Sequence, residues 1–125
     1  MIYLDTHVAV YLGSGRKKKL SKEATRLIDK SPLLISPIVV VELQYLYEVG
    51  RIGFTPAQTL DVLEGELRIQ ICDLPFERVA TWALEEGWTR DLFDRVIVAQ
   101  ARARGEAVLL SEDARILANY SQAVW

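Results

Sequence analysis

The sequence predicts an α/β fold, a three-layer α/β/α domain with a central parallel sheet of four or five strands. Two features of the sequence predict it. Apolar runs of three or four residues alternate with longer segments that carry helix-capping residues and apolar side chains at helical spacing. Parallel neighbouring strands need a crossover that is almost always helical, so this alternation indicates a sheet covered by helices on both faces. The length of 125 residues suits one domain, and we expect a single domain over residues 1–125.

The first half of the chain contains two predicted strands and four predicted helices. Ser21 is a preferred N-cap, Pro37 suits the first turn of a helix, and Gly50 suits the position just after a helix. The elements are a strand at Ile2–Leu4, helices at 6–12 and 21–30, a strand at Leu33–Ile35, and helices at 37–50 and 55–67. The helix after Pro37 is expected to bury Val40, Leu43, Leu46 and Tyr47.

The second half repeats the alternation. Gly105 suits the end of a helix, and the lone Cys72 lies in an apolar run, so we expect a buried core thiol. The elements are a strand at 69–72, helices at 77–86 and 91–104, a strand at Val108–Leu110, a helix at 113–120 and a fifth, edge strand at 124–125.

The net charge of −2 at pH 7 is unevenly distributed. Residues 1–30 carry seven Lys and Arg against three acids, whereas residues 31–125 carry eight against fourteen. The basic run of Arg16, Lys17, Lys18 and Lys19 is a candidate contact to phosphates of a nucleic acid, with a solvated flexible loop as the equal alternative. No apolar run approaches the roughly 18 residues of a membrane span, and the sequence starts without a signal-peptide pattern, so we expect a cytoplasmic protein.

Five acidic residues lie where the predicted elements would bring them to one edge of the sheet. Asp5 ends the first strand, Glu42 lies in the helix after the second, and Asp113 follows the fourth. Asp91 and Asp94 are three residues apart and share a face in the first turn of their helix. Because ligands in parallel α/β folds gather outside the carboxyl ends of the strands, these acids form the candidate site.

The chemistry of such a cluster points to a divalent metal ion. Carboxylates held close together raise each other's pKa unless a cation neutralises them. Oxygen ligands without a His or Cys cluster favour Mg²⁺ or Mn²⁺ over zinc. Such an ion can bind a phosphate oxygen, lower the pKa of water and stabilise a leaving oxygen, which together hydrolyse a phosphodiester.

Each acid also has a structural alternative. Asp91 and Asp113 could cap helices, and Asp94 could pair with Arg90 or Arg95. A functional role is favoured for Asp5, because an uncompensated acid directly after a buried strand is costly. Because all five acids are expected at one edge of the sheet, we favour a functional site over five separate structural roles. Acids on predicted outer helical faces are expected to be solvated, namely Glu23, Glu64, Glu66, Glu85 and Glu86.

Four segments, in order along the whole chain, carry a resemblance to a known family. They are Asp5-Thr6-His7, Ser36 with Glu42, the block RDLFDRVIVAQA at 90–101, and LLSED at 109–113. Together they resemble the VapC-like PIN-domain ribonucleases, which are toxins of type II toxin–antitoxin systems. The block at 90–101 is the most specific part. Leu92 departs from the Pro that relatives often have, and Tyr11 from their Trp, but neither change removes a ligand.

The resemblance implies a PIN domain that acts as a metal-dependent endoribonuclease on RNA, with Mg²⁺ or Mn²⁺ in an acidic pocket. It also implies a homodimer and inhibition by a cognate antitoxin protein. Asp5, Glu42, Asp94 and Asp113 match the four acidic positions of the family, and Asp91 is an extra acid found in this subgroup. Whether Asp91 or Asp94 is the closer ligand stays open at this point.

Three hydroxyl residues at strand ends are candidate supporting residues. Thr6, Ser36 and Ser111 could hydrogen-bond the carboxylates, and a turn or cap role is the alternative. His7 is the only histidine, but we do not assign it as a general base. If strand geometry continued past Asp5 the imidazole would point away from that acid, and a metal-activated water needs no imidazole base.

Two rival readings of the residues stay open. One is a PIN nuclease that acts on DNA, and the other is a PIN-like module that binds RNA or a partner without cleavage. A response-regulator receiver domain is excluded, because it needs a lysine at the end of a late strand and every lysine lies at or before Lys30. The expected inhibitor contact is an inserted Arg in the acidic pocket, beside a groove where Tyr45, Leu46, Tyr11 and Leu12 are partly exposed.

Overall fold

The computed structural model describes residues 1–125 and contains one sheet of five parallel strands in the order β3-β2-β1-β4-β5. The strands are β1 (Ile2–Leu4), β2 (Leu33–Ile35), β3 (Gln70–Ile71), β4 (Val108–Leu110) and β5 (Ala123–Val124). The helices are α1 (Thr6–Gly13), α2 (Lys22–Lys30), α3 (Pro37–Glu48), α4 (Pro56–Gly65), α5 (Phe76–Ala83), α6 (Leu92–Ala103) and α7 (Ala114–Asn119). The α/β/α prediction is confirmed, with five strands. No helix combines the length and apolar character needed to cross a membrane.

The central strands are short and apolar because they are covered on both faces. Every residue of β1 and β2 is buried, as is typical of strands in a parallel sheet. Leu4 pairs with Leu110, and Ile35 pairs with Ile71. The carboxyl ends of β1, β2, β3 and β4 therefore meet at one edge of the sheet.

The same edge collects the starts of several helices. Asp5 caps α1, Ser36 caps α3 and Asp113 caps α7, each within three residues of the end of a strand. A helix start carries unpaired N–H groups and a partial positive charge, which favour carboxylates nearby. The fold thus brings the predicted acids to an edge that suits negative charge.

The buried face of α3 differs from the prediction. Val39, Leu43 and Leu46 are buried, whereas Val40 is only half-buried and Tyr47 is 42% exposed. The buried residues follow the spacing of four and three that places side chains on one helix face. The predicted stripe of Val40 and Tyr47 lies beside that face.

One further expectation is corrected and one is confirmed. Glu86 is not solvated, since it is 1% exposed and bonded to Arg102 and Trp88 beyond the end of α5. Lys17–Lys19 form a single turn of 3-10 helix with exposed side chains. Cys72 is a buried free thiol, as expected.

Candidate active site

All five predicted acids line one cavity of about 290 Å³ at the carboxyl edge of the sheet. The lining residues are Asp5, His7, Glu42, Tyr45, Leu46, Arg51, Asp91, Phe93, Asp94 and Asp113. Two larger surface cavities, of about 790 and 470 Å³, lie beside β3 and between α1 and α4. Neither gathers a comparable set of acids, so the smallest of the three is the candidate active site.

Asp5 is the most buried of the five acids, with 5% of its surface exposed. As the N-cap of α1 it accepts a hydrogen bond from the backbone N–H of Thr6 at 2.8 Å. Its second oxygen accepts from the hydroxyl of Ser111 at 2.6 Å. Burial raises the pKa of Asp5, and these two hydrogen bonds oppose the rise because they favour the charged form.

Glu42 lies on α3 and faces Asp5 across the cavity. The hydroxyl of Thr6 donates to Oε1 of Glu42, so Thr6 holds Asp5 through its backbone and Glu42 through its side chain. Burial raises the pKa of Glu42, and the charges of Asp5 and Asp91 add to the rise. Thr6 thus fixes the position of the Glu42 carboxylate relative to that of Asp5.

Asp91 and Asp94 occupy the start of α6 but differ in setting. Asp91 is exposed, and one of its oxygens caps the helix by accepting from the N–H of Asp94 at 3.1 Å. Asp94 is half-buried and its carboxylate accepts no protein hydrogen bond. Burial, and then the charges of the other four acids, raise the pKa of Asp94 to about 7. Burial and the neighbouring acids together therefore disfavour the charged form of Asp94.

Asp113 caps α7 through one oxygen, which accepts from the N–H groups of Arg115 at 2.8 Å and Ile116 at 3.1 Å. Its other oxygen makes no hydrogen bond within the protein. Ser111 links this acid to Asp5, because its hydroxyl donates to Asp5 and accepts from the N–H of Asp113 at 3.1 Å. Capping and lining the cavity are thus compatible for Asp91 and Asp113.

None of the five acids is paired with a Lys or Arg, since the four ion pairs of the protein lie elsewhere. The proposed pair of Asp94 with Arg90 or Arg95 is absent. Arg90 donates instead to the backbone oxygens of Gly87 and Thr89, and Nε of Arg95 has no partner. The only Lys, Arg or His side chains that line the cavity are His7 and Arg51.

The donor set fits a hard divalent cation, although no three acids are arranged so that they could hold a metal ion as they stand. Carboxylate oxygens are the ligands that Mg²⁺ and Mn²⁺ prefer. Repulsion among carboxylates without a cation favours such spread positions. Asp91, Asp94 and Asp113 each keep at least one carboxylate oxygen that makes no hydrogen bond within the protein.

The three candidate supporting residues have different roles. Thr6 and Ser111 each bond one of the acids. Ser36 does not, because its hydroxyl donates to Oε1 of Gln100 at 2.9 Å and accepts from the N–H of Ile38. Ser36 is therefore a helix cap and a core contact, which is the alternative that the sequence left open.

The sequence did not predict that His7 and Arg51 line this cavity. His7 was expected to point away from Asp5, but α1 begins at Thr6, so strand alternation ends and the imidazole lies on the cavity wall. Arg51 was not singled out. The signal that predicts its place is Gly50, which ends α3 and turns the chain back toward the cavity.

The basic run lies outside the cavity but near its rim. The guanidinium of Arg16 lies 5.5 Å from the centre of the Tyr11 ring, and the hydroxyl of Tyr11 donates to Glu112, next to Asp113. Lys17 lines the separate groove between α1 and α4.

The predicted exposure of the partner-binding surface is partly wrong. Tyr45 is exposed, but Leu46 and Leu12 are buried, at 3% and 2%.

The PIN domain family model matches residues 2–121. A direct comparison with curated protein sequences gave no match. Among solved structures, the fold is similar to a chain of VapBC2 from Rickettsia felis bound to a DNA fragment from their promoter. That similarity has a TM-score of 0.68 and 22% identity, and covers 99% of this chain and 96% of that chain. A chain of a toxin–antitoxin complex from Klebsiella pneumoniae gives a TM-score of 0.65 and 17% identity, over 100% of this chain and 97% of that chain. These identities establish likeness of fold alone, whereas the family model covers nearly the whole chain, and the chain therefore belongs to the PIN domain family.

Proposed function

We propose that this protein is a metal-dependent endoribonuclease and the toxin of a toxin–antitoxin pair. One observation carries the proposal: five carboxylates line a single cavity, and none of them is paired with a Lys or Arg. A divalent cation is the group that relieves this repulsion. Membership of the PIN family and the likeness to chains of toxin–antitoxin complexes support it.

In this proposal Asp5, Glu42, Asp94 and Asp113 hold Mg²⁺ or Mn²⁺. When bound, the ion would polarise a phosphodiester and lower the pKa of a water molecule. Asp94 is the closer ligand of the α6 pair, because Asp91 is exposed and commits one oxygen to capping. Asp91 adds negative charge and holds the first turn of α6.

Thr6 and Ser111 orient the ligands in this scheme. Each donates a hydroxyl hydrogen bond to a carboxylate, which fixes the orientation of that carboxylate and favours its ionised form. Such outer contacts typically change metal affinity or activity by 10- to 100-fold when they are removed.

RNA is the proposed substrate, and the basic run at residues 16–19 is proposed to contact its phosphates. The link from Arg16 through Tyr11 to Glu112 brings this positive charge toward the cavity rim. The proposed antitoxin offers an Arg to the cavity, because a guanidinium pairs bidentately with carboxylate and competes with the ion. We also propose a homodimer.

Cleavage of total cellular RNA with and without Mg²⁺ or Mn²⁺, followed by mapping of the new ends, tests the nuclease proposal. Asp5→Asn and Asp94→Asn are expected to lower the rate by at least about 100-fold without unfolding the protein. Asp61→Asn, an exposed acid on α4, is the control. Full RNA cleavage in the presence of chelator, or by either site variant, would contradict the metal mechanism.

Other outcomes of the same assay select the rival readings. Cleavage of DNA in place of RNA would indicate a DNA nuclease, and metal binding by calorimetry without any cleavage would indicate a binding module. Coexpression with the product of the adjacent small open reading frame tests the toxin assignment. If no neighbouring product binds, and cells tolerate the wild-type protein as well as Asp5→Asn, that assignment is wrong even where the nuclease assignment stands.

A further inference from the structure

We infer that Tyr45, Phe93 and Arg51 form a nucleotide subsite on the wall of the acidic cavity. An unpaired base of the substrate stacks on the two rings, and the guanidinium of Arg51 binds an adjacent phosphate. The inference deepens the proposed nuclease function and rests on it, but its binding test is independent of cleavage.

The rings of Tyr45 and Phe93 lie on the same helices as two of the acids and close to them in sequence. Tyr45 lies three residues after Glu42 on α3, so both project from one side of that helix, and Phe93 directly precedes Asp94 on α6. The ring centres are 5.8 Å apart with an angle of 38° between their planes. Both rings line the cavity, so an aromatic wall stands beside the proposed metal ligands.

Tyr45 keeps 50% of its surface exposed. This contact with Phe93 therefore uses only part of the ring, and apolar surface remains open to the cavity. Aromatic side chains stack on nucleobases without strong sequence preference, because every base has a flat π-face. A base within a duplex is already stacked and paired, so only an unpaired base reaches such a ring.

Arg51 is placed by the way α3 ends. Gly50 adopts a φ of +76°, a conformation that glycine takes without strain. The N–H of Gly50 donates to the carbonyl of Tyr47 at 3.1 Å, and the N–H of Arg51 donates to the carbonyl of Leu46 at 2.8 Å. This pair of hydrogen bonds is a Schellman motif, and it fixes the backbone from which the guanidinium extends.

The Arg51 guanidinium makes no ion pair and no hydrogen bond within the protein, although it lines a cavity with five acids. Arginine has five donors and binds phosphate bidentately. An anionic substrate that approaches the acids is repelled by them, and a free cation on the cavity wall offsets that repulsion. A free cation next to open aromatic surface is the pairing that a nucleotide requires.

The test measures binding of a labelled single-stranded oligoribonucleotide of randomised sequence, by fluorescence anisotropy at several salt concentrations. The protein carries Asp94→Asn so that no probe is cleaved. Adding Tyr45→Ala is expected to raise Kd about tenfold at every salt concentration, as expected for loss of one stacked base. Tyr45→Phe keeps the ring and is expected to keep the affinity.

Arg51→Ala has a different signature. It removes one phosphate contact, so the slope of log K against log salt is expected to fall in magnitude by about 0.7. Tyr45→Ala leaves that slope unchanged, because stacking releases no counterion. If either residue only maintained the fold, its substitution would not change the affinity and the salt slope independently of each other.

Matched controls come from the same fold. Tyr47→Ala removes an exposed tyrosine of α3 that does not line the cavity, and Arg78→Ala removes an exposed arginine of α5. Neither is expected to change affinity or slope. Equal effects of Tyr45→Ala and Tyr47→Ala, or no binding of the probe by the Asp94→Asn protein, would overturn the subsite.

The outcomes also separate this inference from the nuclease proposal. If the wild-type protein cleaves RNA but Tyr45→Ala does not change the Kd of the oligoribonucleotide, the subsite is rejected and the nuclease proposal stands. Binding that depends on Tyr45 without cleavage by the wild-type protein supports the subsite and rejects the nuclease.

Discussion

Two regions of this molecule contain half-buried or buried carboxylates. One region pairs its carboxylate with an arginine side chain, and the other does not. The Glu86 cluster, formed by Glu86, Trp88 and Arg102, gives its carboxylate two partners. Nε1 of Trp88 donates to Glu86 at 2.6 Å, and the guanidinium of Arg102 forms an ion pair with it. In the acidic cavity the carboxylates receive bonds from hydroxyls and backbone N–H groups but none from the side chain of a Lys or Arg.

The two regions differ in whether the chain itself supplies a cationic side chain for its buried acid. Arg102 is also held in place, since it bonds Glu106 and lies 4.8 Å from the centre of the Tyr120 ring. The Glu86 cluster is complete within the chain and stabilises the junction of α5 and α6. In the proposed function the cavity is completed by a cation from outside, so substitutions in the two regions should have opposite effects on stability.

The largest effect on stability is expected for Glu86→Gln. It leaves the charge of Arg102 without its buried partner, and breaking such a pair costs about 3 kcal/mol. Asp94→Asn should instead raise the stability of the metal-free protein, because it removes a charge that burial and then the neighbouring acids disfavour. Urea unfolding at pH 7 in chelator measures both changes.

Glu85→Gln, at the exposed neighbouring position, is the control for the first substitution and should change stability little. If Asp94→Asn destabilises the protein as much as Glu86→Gln does, the two regions are not different in kind.

A metal ion should act on one region only. An ion that binds the folded state alone raises the free energy of unfolding by about 2.7 kcal/mol at 100 times its Kd. We expect this rise with Mg²⁺ or Mn²⁺ in the wild-type protein and in Glu86→Gln, and a smaller rise in Asp94→Asn. Thermal unfolding across a metal titration provides the readout, and a melting temperature that millimolar metal does not move would argue against a metal site.

Acid should imitate metal, with a smaller effect because the cavity is open to solvent. The pKa of Asp94 is about 7 in the folded protein and 3.8 without the fold, so the folded state binds the proton more tightly. Stability from this group is therefore fully present below about pH 4 and is lost as pH rises through 7. The pKa values of Asp5 and Glu42 are raised in the same direction.

Melting temperatures in chelator between pH 5 and 8 test this sign. The metal-free wild-type protein should become more stable as the pH falls, and Asp94→Asn should flatten the curve. A wild-type protein that loses stability steadily from pH 8 to 5 contradicts the repulsion that we assign to the cavity.

The sequence predicted the fold well because its signals are local. Short apolar runs, N-caps and the prolines that start helices are each read from a few neighbouring residues, and the sheet order brings the acids together as expected. The cavity that gathers all five acids follows from the parallel topology, since Asp5, Glu42 and Asp113 all lie after strand ends.

What the sequence did not predict depends on contacts between distant residues. Glu86 was expected to be solvated because its partner Arg102 is 16 residues away on another helix. The face of α3 shifted by one residue from Val40 to Val39, because several neighbouring apolar residues fit a helical stripe equally well. Arg51 carried no signal of its own, and only the glycine before it explains where it lies.

The smallest predicted effect compares two buried serines that each directly follow a strand. Ser111 donates to Asp5 at 2.6 Å, whereas Ser36 donates to Gln100, away from the acids. Ser111→Ala and Ser36→Ala should each cost about 2 kcal/mol of stability, because each removes one hydrogen bond that the hydroxyl donates and one that it accepts from a backbone N–H. Only Ser111→Ala should also lower RNA cleavage, by about tenfold, because Asp5 loses the donor that orients it. Single-turnover cleavage rates alongside urea unfolding give both quantities, and an equal loss of activity in the two variants would mean that Ser111 acts through the fold and not through Asp5.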